Sequence, residues 1–344
     1  MSYKAIIISF FFLFLLSCDK EDEMKIGFEL EMAEIVLPGN TADFYLGGDG
    51  AEDEKPLHKV NITIPYALGK YEVTNQQFFL VMNWALAEGY AVIFEGDVWD
   101  TTKTYKYLGV KHLSEGLQEG IEIADGRLAL KTVEERQSAK EISAGDFPVH
   151  GVTWYGACAF CNFLSLIKGL EPVYDLTKWE CDWEKNGYRL PTEAEWTYAA
   201  KGHAQNEYAW GNDLAGAVCT WNGSKKIFSN GLTPVGFYDG TEKYGMLTTS
   251  NVSPFGVFDL TGNVWEWCWD WYGSSYFSAS PKDDPRGPQN GDVRLPWSTQ
   301  ATRIWKGGGL LAPDFFLRVN VRWSACCDQC YSELGFRVAR RIIP

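Results

Sequence analysis

A chain of 344 residues with 46% hydrophobic content can bury the core of one large domain or two modest ones. Its formal charge of −14, with no basic stripe, argues against nucleic acid as a partner, because an acidic body repels phosphate backbones. Aromatic residues at 15% and 34 glycines fit a loop-rich globule with an aromatic core better than a helical bundle.

The chain opens MSYKAIIISFFFLFLLSC: Lys4, an apolar run from Ala5 to Leu16, then Ser17-Cys18. The run is short for a bilayer span and has the form of a secretory signal. LLSC resembles a bacterial lipobox, which implies a lipoprotein signal peptide over 1–18, lipidation of Cys18 and attachment to the outer membrane of the cell envelope. A plain signal peptide or a short anchor is the alternative. The acidic DKEDE that follows resembles surface-export signals of Bacteroidota lipoproteins. Residues 19–33 read as a polar tether.

From Ile35, EIVLPGNTADFYLGG predicts two short strands joined at Pro38-Gly39. Thr74 with Gln77 three residues on predicts a capped helix with Phe78, Val81, Met82 and Ala85 on one face, ending near Gly89. Residues 90–147 read as an elaboration on a domain over 34–344: hairpins first, then a strand and a polar, mobile stretch. Thr153 opens a second helix with Trp154, Ala157, Cys161, Leu164 and Ile167 as its buried stripe. In YRLPTEAEWTYAAKG, Thr192 and Glu195 form a second capping box, and Glu193 is a first-turn acid facing the helix dipole. Turns dominate after 202.

In DLTGNVWEWCWDW, Trp265, Trp267, Trp269 and Trp271 alternate with Glu266, Cys268 and Asp270. Read as a strand, the tryptophans share one face and the acids the other. The plain account packs tryptophan into the core and leaves the acids in solvent. Eight cysteines follow Cys18; Cys326, Cys327 and Cys330 are candidates for a disulfide or a soft-metal cluster. The four histidines (58, 112, 150 and 203) are scattered, and no G-x-S-x-G elbow or P-loop occurs.

The blocks KPLHKV, GKYEVTNQQF, PVHGVTWYGACAFCNFL, YRLPTEAEWTYAAKG, TPVG, PFGVFDLTGNVWEWCWDWY, KGGG and LGFRVAR, in this order, resemble the formylglycine-generating enzyme (sulfatase-modifying factor) family over roughly 33 to 341. The resemblance implies an α+β fold: a single C-type-lectin-like domain with low regular secondary structure. It also implies Ca²⁺ bound by the side chains of Asp259 and Glu266 and the carbonyls of Gly262 and Val264, a hard-oxygen set suited to that ion. The family's other calcium site, which begins near Asn222, lacks a clear acidic ligand here.

The family's oxidases hold Cu(I) between two cysteines placed just beyond the Gly-Gly motif. Here no cysteine occurs between Gly309 and Arg322, and Leu310, Leu311, Phe315 and Phe316 predict an apolar or plugged pocket instead. Copper is therefore not expected, and no catalytic residue is assigned. The reading is an envelope lipoprotein whose domain serves as a non-oxidase binding or assembly module, with a protein or glycan partner. One alternative is a formylglycine-generating-type oxidoreductase with rearranged cysteines. The other is a glycan-binding, lectin-like module using the Trp265–Trp271 aromatics.

Overall fold

The computed structural model describes residues 28–35, 37, 41–110, 120–214, 219–294 and 298–343. Cys18 and residues 19–27 of the expected 19–33 tether lie outside the described residues, and the tether's last two positions instead open the strand Met32–Ile35.

Three helices carry the start signals read from the sequence. α1 spans Asn75–Ala87. Thr74 Oγ1 accepts from the Gln77 amide at 3.2 Å, and Gln77 Oε1 accepts from the Thr74 amide at 3.0 Å. Both bonds satisfy donors that the helix itself leaves unpaired. α2 spans Trp154–Ile167 and is capped by Thr153, whose hydroxyl accepts from the Gly156 amide at 3.0 Å. Its expected stripe is buried except for Ile167, which is half-buried, but burial runs nearly around the helix. Small residues explain this, because they let neighbouring backbone close in: a Cβ at Gly156 would lie 2.0 Å from the Tyr107 carbonyl oxygen. α3 spans Glu193–Lys201 with the Thr192/Glu195 box in place.

Two four-stranded sheets frame these helices. One orders Met32–Ile35, Tyr66–Gly69, Ala339–Arg341 and Tyr188–Arg189, all antiparallel, so Tyr66–Gly69 lies between the first and the last strand of the domain. The other orders Trp323–Cys326, Thr302–Lys306, Trp265–Trp271 and Leu334–Gly335, the last pairing parallel. The two strands expected around Pro38-Gly39 exist at Met32–Ile35 and Ala42–Leu46, but in different sheets: the first pairs with Tyr66–Gly69, the second with His58–Ile62.

Between residues 90 and 147 the hairpins form as read, with Ala91–Phe94, Asp97–Asp100 and Lys106–Leu108 in one small sheet. A hairpin of Ile121–Ala124 with Arg127–Leu130 follows, and the stretch expected to be polar and mobile is a further hairpin, Thr132–Glu135 against Lys140–Ser143. The Glu135 carboxylate closes its turn by accepting from the amides of Gln137 and Ser138 at 2.7 and 2.9 Å. Polar composition hid an ordered turn because its organising group is itself a charged side chain.

The strand Trp265–Trp271 does not divide into core and solvent faces. Glu266 and Asp270 are buried, as are Trp265 and Trp267, whereas Trp269 and Trp271 are half-buried. The acid face lies under α3: Trp196 Nε1 donates to Glu266 Oε2 at 2.8 Å, and the Glu193 amide donates to Asp270 Oδ2 at 2.9 Å.

Candidate functional site

The turn from Asp259 to Glu266 is built on left-handed backbone. Asp259, Gly262 and Asn263 have φ of 59°, 84° and 61°, a conformation that glycine adopts freely and other residues at a cost. Position 262 also demands glycine for space, since a Cβ there would lie 2.4 Å from the Thr220 carbonyl oxygen. The turn is stitched to the 306–322 segment: the Gly262 amide donates to Gly307 O at 2.8 Å, and Asn263 O accepts from the Leu310 amide at 2.9 Å.

Three buried carboxylates surround this turn with one guanidinium among them. Glu266 takes Arg337 through both oxygens, each at 2.6 Å. Asp259 accepts from the Gly236 amide at 2.5 Å and from Asn251 Nδ2 at 2.9 Å. Glu72 accepts from Asn263 Nδ2 at 3.0 Å and from the Val264 amide at 3.3 Å. Burial first, then the charges of Asp259 and Glu266, hold the Glu72 carboxyl well above its ordinary range, against the pull of Arg337. Burial likewise raises Asp259. Glu72, Arg337 and Asn251 escaped the sequence reading. Glu72 and Arg337 sit within the motif blocks GKYEVTNQQF and LGFRVAR, and Asn251 lies three residues before PFGVFDLTGNVWEWCWDWY; for Arg337 the signal was a charge between Phe336 and Val338.

The donor set fits a hard cation in charge and type. One guanidinium leaves the three carboxylates in excess. Among hydrogen bonds between described residues, none is made to the carbonyl oxygens of the buried residues Gly262 and Val264. Carbonyl oxygens beside buried carboxylates are the hard donors that an oxygen-seeking ion takes. Among the described residues no three His, Cys, Asp or Glu side chains gather as a ready metal cluster. A cation here therefore draws on the backbone as much as on Asp259 and Glu266.

The segment beyond the glycines packs inward on one side, and its outer side exposes Pro313 and Asp314 beside two apolar side chains. Leu310, Ala312 and Leu317 are buried, while Leu311 and Phe315 are 51% and 48% exposed. Phe316 packs edge-on against Trp265 and Trp323, ring centres 6.2 and 5.0 Å away. The Leu311 amide donates to Glu333 Oε2 at 2.8 Å, and Arg318 anchors the far end on Glu54 at 2.8 Å. This segment holds no sulfur and no imidazole, so it does not fit Cu(I), which requires soft donors.

The remaining candidates disperse. Cys326, Cys327 and Cys330 are all unbridged, and they face different neighbours. Cys326 Sγ lies 3.3 Å from Ser298 Oγ, Cys327 lies beside Arg303 and Tyr155, and Cys330 packs against Gly109. Among the described residues the three thiols stand apart, and Cys326 and Cys327, consecutive at a strand end, point to different sides. Glu193 does more than face a dipole: its carboxylate takes Arg322 Nε at 2.9 Å and lies 3.6 Å from Lys306 Nζ. Glu195, besides its cap, pairs with both terminal nitrogens of Arg189 at 2.6 and 2.7 Å. The outer tryptophans are occupied too, since the Arg303 guanidinium lies 3.6 Å from the Trp271 ring centre and 4.8 Å from that of Trp269. They do not form an open aromatic platform.

The model of the sulfatase-modifying factor enzyme 1-like domain matches residues 28–342. A formylglycine-generating enzyme of Streptomyces coelicolor is 29% identical over 329 residues, covering 89% of this chain and 88% of that protein. Among solved structures, variable protein 1 of Treponema denticola superposes with a TM-score of 0.60 at 24% identity, covering 92% of this chain and 97% of that one. PvdO of Pseudomonas aeruginosa does so with a TM-score of 0.54 at 22% identity, covering 88% and 92%. Motif order, architecture and a match across nearly the whole described span agree: the chain belongs to the sulfatase-modifying factor enzyme 1-like family.

Proposed function

We propose that this protein is an envelope lipoprotein, anchored through Cys18 in the outer membrane, whose domain binds or assembles with a protein partner and does not act as a copper oxidase. The observation that carries this reading is the 310–321 segment. Where the family's oxidases hold a copper-binding thiol pair, this chain buries Leu310, Ala312 and Leu317 and exposes Leu311 and Phe315. An exposed apolar patch on a rigidly pinned segment is a docking feature. Asp259, Glu266 and the carbonyls of Gly262 and Val264 would hold Ca²⁺. Bound there, the ion supplies positive charge to the buried carboxylates and rigidity to the turn. Asn263 carries that rigidity to Leu310 through the bond between their backbones.

The oxidase reading draws on relatives named as formylglycine-generating enzymes. Incubating the protein with Cu(I), O₂ and a Cys-x-Pro-x-Arg peptide decides between the two. The binding reading expects an unmodified cysteine in the mass spectrum. Formylglycine in the peptide would refute it.

A further inference from the structure

α1 and α2 lie side by side with their C-terminal ends together: Phe78 stacks on Phe160 at 5.5 Å, and Trp84 meets Phe163 at 6.4 Å. Beyond these contacts the pair ends in exposed apolar groups. Tyr90 is 47% exposed and packs on Phe163 and Trp84, ring centres 5.7 and 5.6 Å away. Leu166, 41% exposed, follows Phe163 one turn later. The chain enters the described structure at this same end. The Phe28 carbonyl accepts from Lys168 Nζ at 2.7 Å, and that ammonium lies 5.1 Å from the Phe28 ring centre. On the other flank, Arg127 of the Arg127–Leu130 strand lines an open depression together with Leu86 and Ala87 of α1.

We propose that this end of the domain is a membrane-docking surface seated on the bilayer that holds the Cys18 lipid; the proposal rests on the lipid-anchor reading above. Residues 19–27 separate Cys18 from Phe28, a span of about 30 Å at full extension. The tether therefore keeps the Tyr90–Leu166 patch within reach of the lipid surface. The side-chain chemistry suits that place. Tyrosine and tryptophan favour the headgroup level, a leucine inserts below it, and the flanking Arg127 has the reach to meet phosphates, while Lys168 stays on Phe28. Glu29 and Glu88 are exposed at the same end. The net charge there does not favour an anionic surface, and docking is driven by apolar burial rather than by ion pairing. Among the described residues no helix is long and apolar enough to cross the membrane, so contact of this kind is peripheral.

The test uses the full acylated chain, its Cys18 lipid verified by mass spectrometry, on phosphatidylcholine vesicles recovered by flotation. Amide hydrogen exchange over 86–92 and 166–170 is expected to slow by about tenfold relative to the Cys18→Ser chain in solution, and to stay slow at raised ionic strength. The Tyr90→Ser/Leu166→Ser chain, acylated and floating equally, should lose that protection. An acylated chain that floats but exchanges at the solution rate in both segments would overturn the docking surface alone. A Cys18 without acyl groups would overturn the anchor reading and the docking surface together.

Discussion

Glu266 and Arg337 form a fully buried, two-bonded ion pair, with Arg337 Nε on one carboxylate oxygen and Nη2 on the other. The pair joins the tryptophan strand to the C-terminal LGFRVAR block. Arg337 also reaches Gly69 O at 2.9 Å and Phe258 O at 3.0 Å, so one guanidinium ties four parts of the chain. Replacing Arg337 with methionine strands the Glu266 carboxylate beside Asp259 and Glu72. The expected loss is about 3–5 kcal/mol in denaturant unfolding, the usual cost of leaving one buried charge uncompensated. A loss below about 1 kcal/mol would mean that the pair contributes little to stability.

The same cluster predicts a coupling between pH and calcium. Glu72 titrates above its ordinary value because burial and the charges of Asp259 and Glu266 oppose its ionisation. The folded chain therefore keeps a proton that the unfolded chain has released, and stability falls as pH rises from about 4.5 through the raised value. A bound cation would offset the charge that the proton offsets at low pH. Measured at one pH near 4.5 and at one well above it, the melting temperature without calcium should fall at the higher pH, and added Ca²⁺ should restore more of it there. Asp259→Asn should abolish the calcium increment. Equal melting curves with and without calcium at both pH values would remove the calcium site.

These residues also mark what the sequence could and could not disclose. Caps are local, so Thr74/Gln77 and Thr192/Glu195 were legible from spacing alone. Motif order disclosed the family and fold, and the missing cysteines of 310–321 were plain from the residues themselves. The destinations of buried charges were not legible. Asp270, Glu193 and Arg322 lie far apart in the chain, and nothing local distinguishes a buried, paired acid from a solvated one. Alternation in the tryptophan strand therefore suggested a wet face where the fold supplies α3. The 132–143 hairpin was missed for a related reason: a charged side chain, Glu135, organises its turn.

The segment from Leu310 to Leu317 should behave as two layers. Leu317 is fully buried, and Leu317→Ala should cost about 2–5 kcal/mol, since the lost methyl groups leave a cavity. Leu311 and Phe315 project outward, and Leu311→Ser/Phe315→Ser should change stability by about 0.5 kcal/mol or less. The double change should nevertheless reduce fluorescence of an apolar surface dye. Dye binding that survives it would place the binding surface elsewhere.

Lys201 tests how the far end of this segment is held. Its ammonium is buried and donates to Asn320 Oδ1 at 2.7 Å. Burial, with the nearby charge of Lys306, lowers its pKa to about 8. Between about pH 8 and the ordinary lysine range the folded chain therefore binds fewer protons than the unfolded chain, and this group's penalty relaxes as pH rises. Asn320→Leu removes the carbonyl that receives the ammonium and should destabilise by about 1–3 kcal/mol near neutral pH. Once Lys201 is neutral, the deficit has less charge to act on. The gap between the two chains should therefore narrow in unfolding curves measured above about pH 9. A gap that is constant from neutral to alkaline pH would show that Asn320 acts through packing rather than through the lysine.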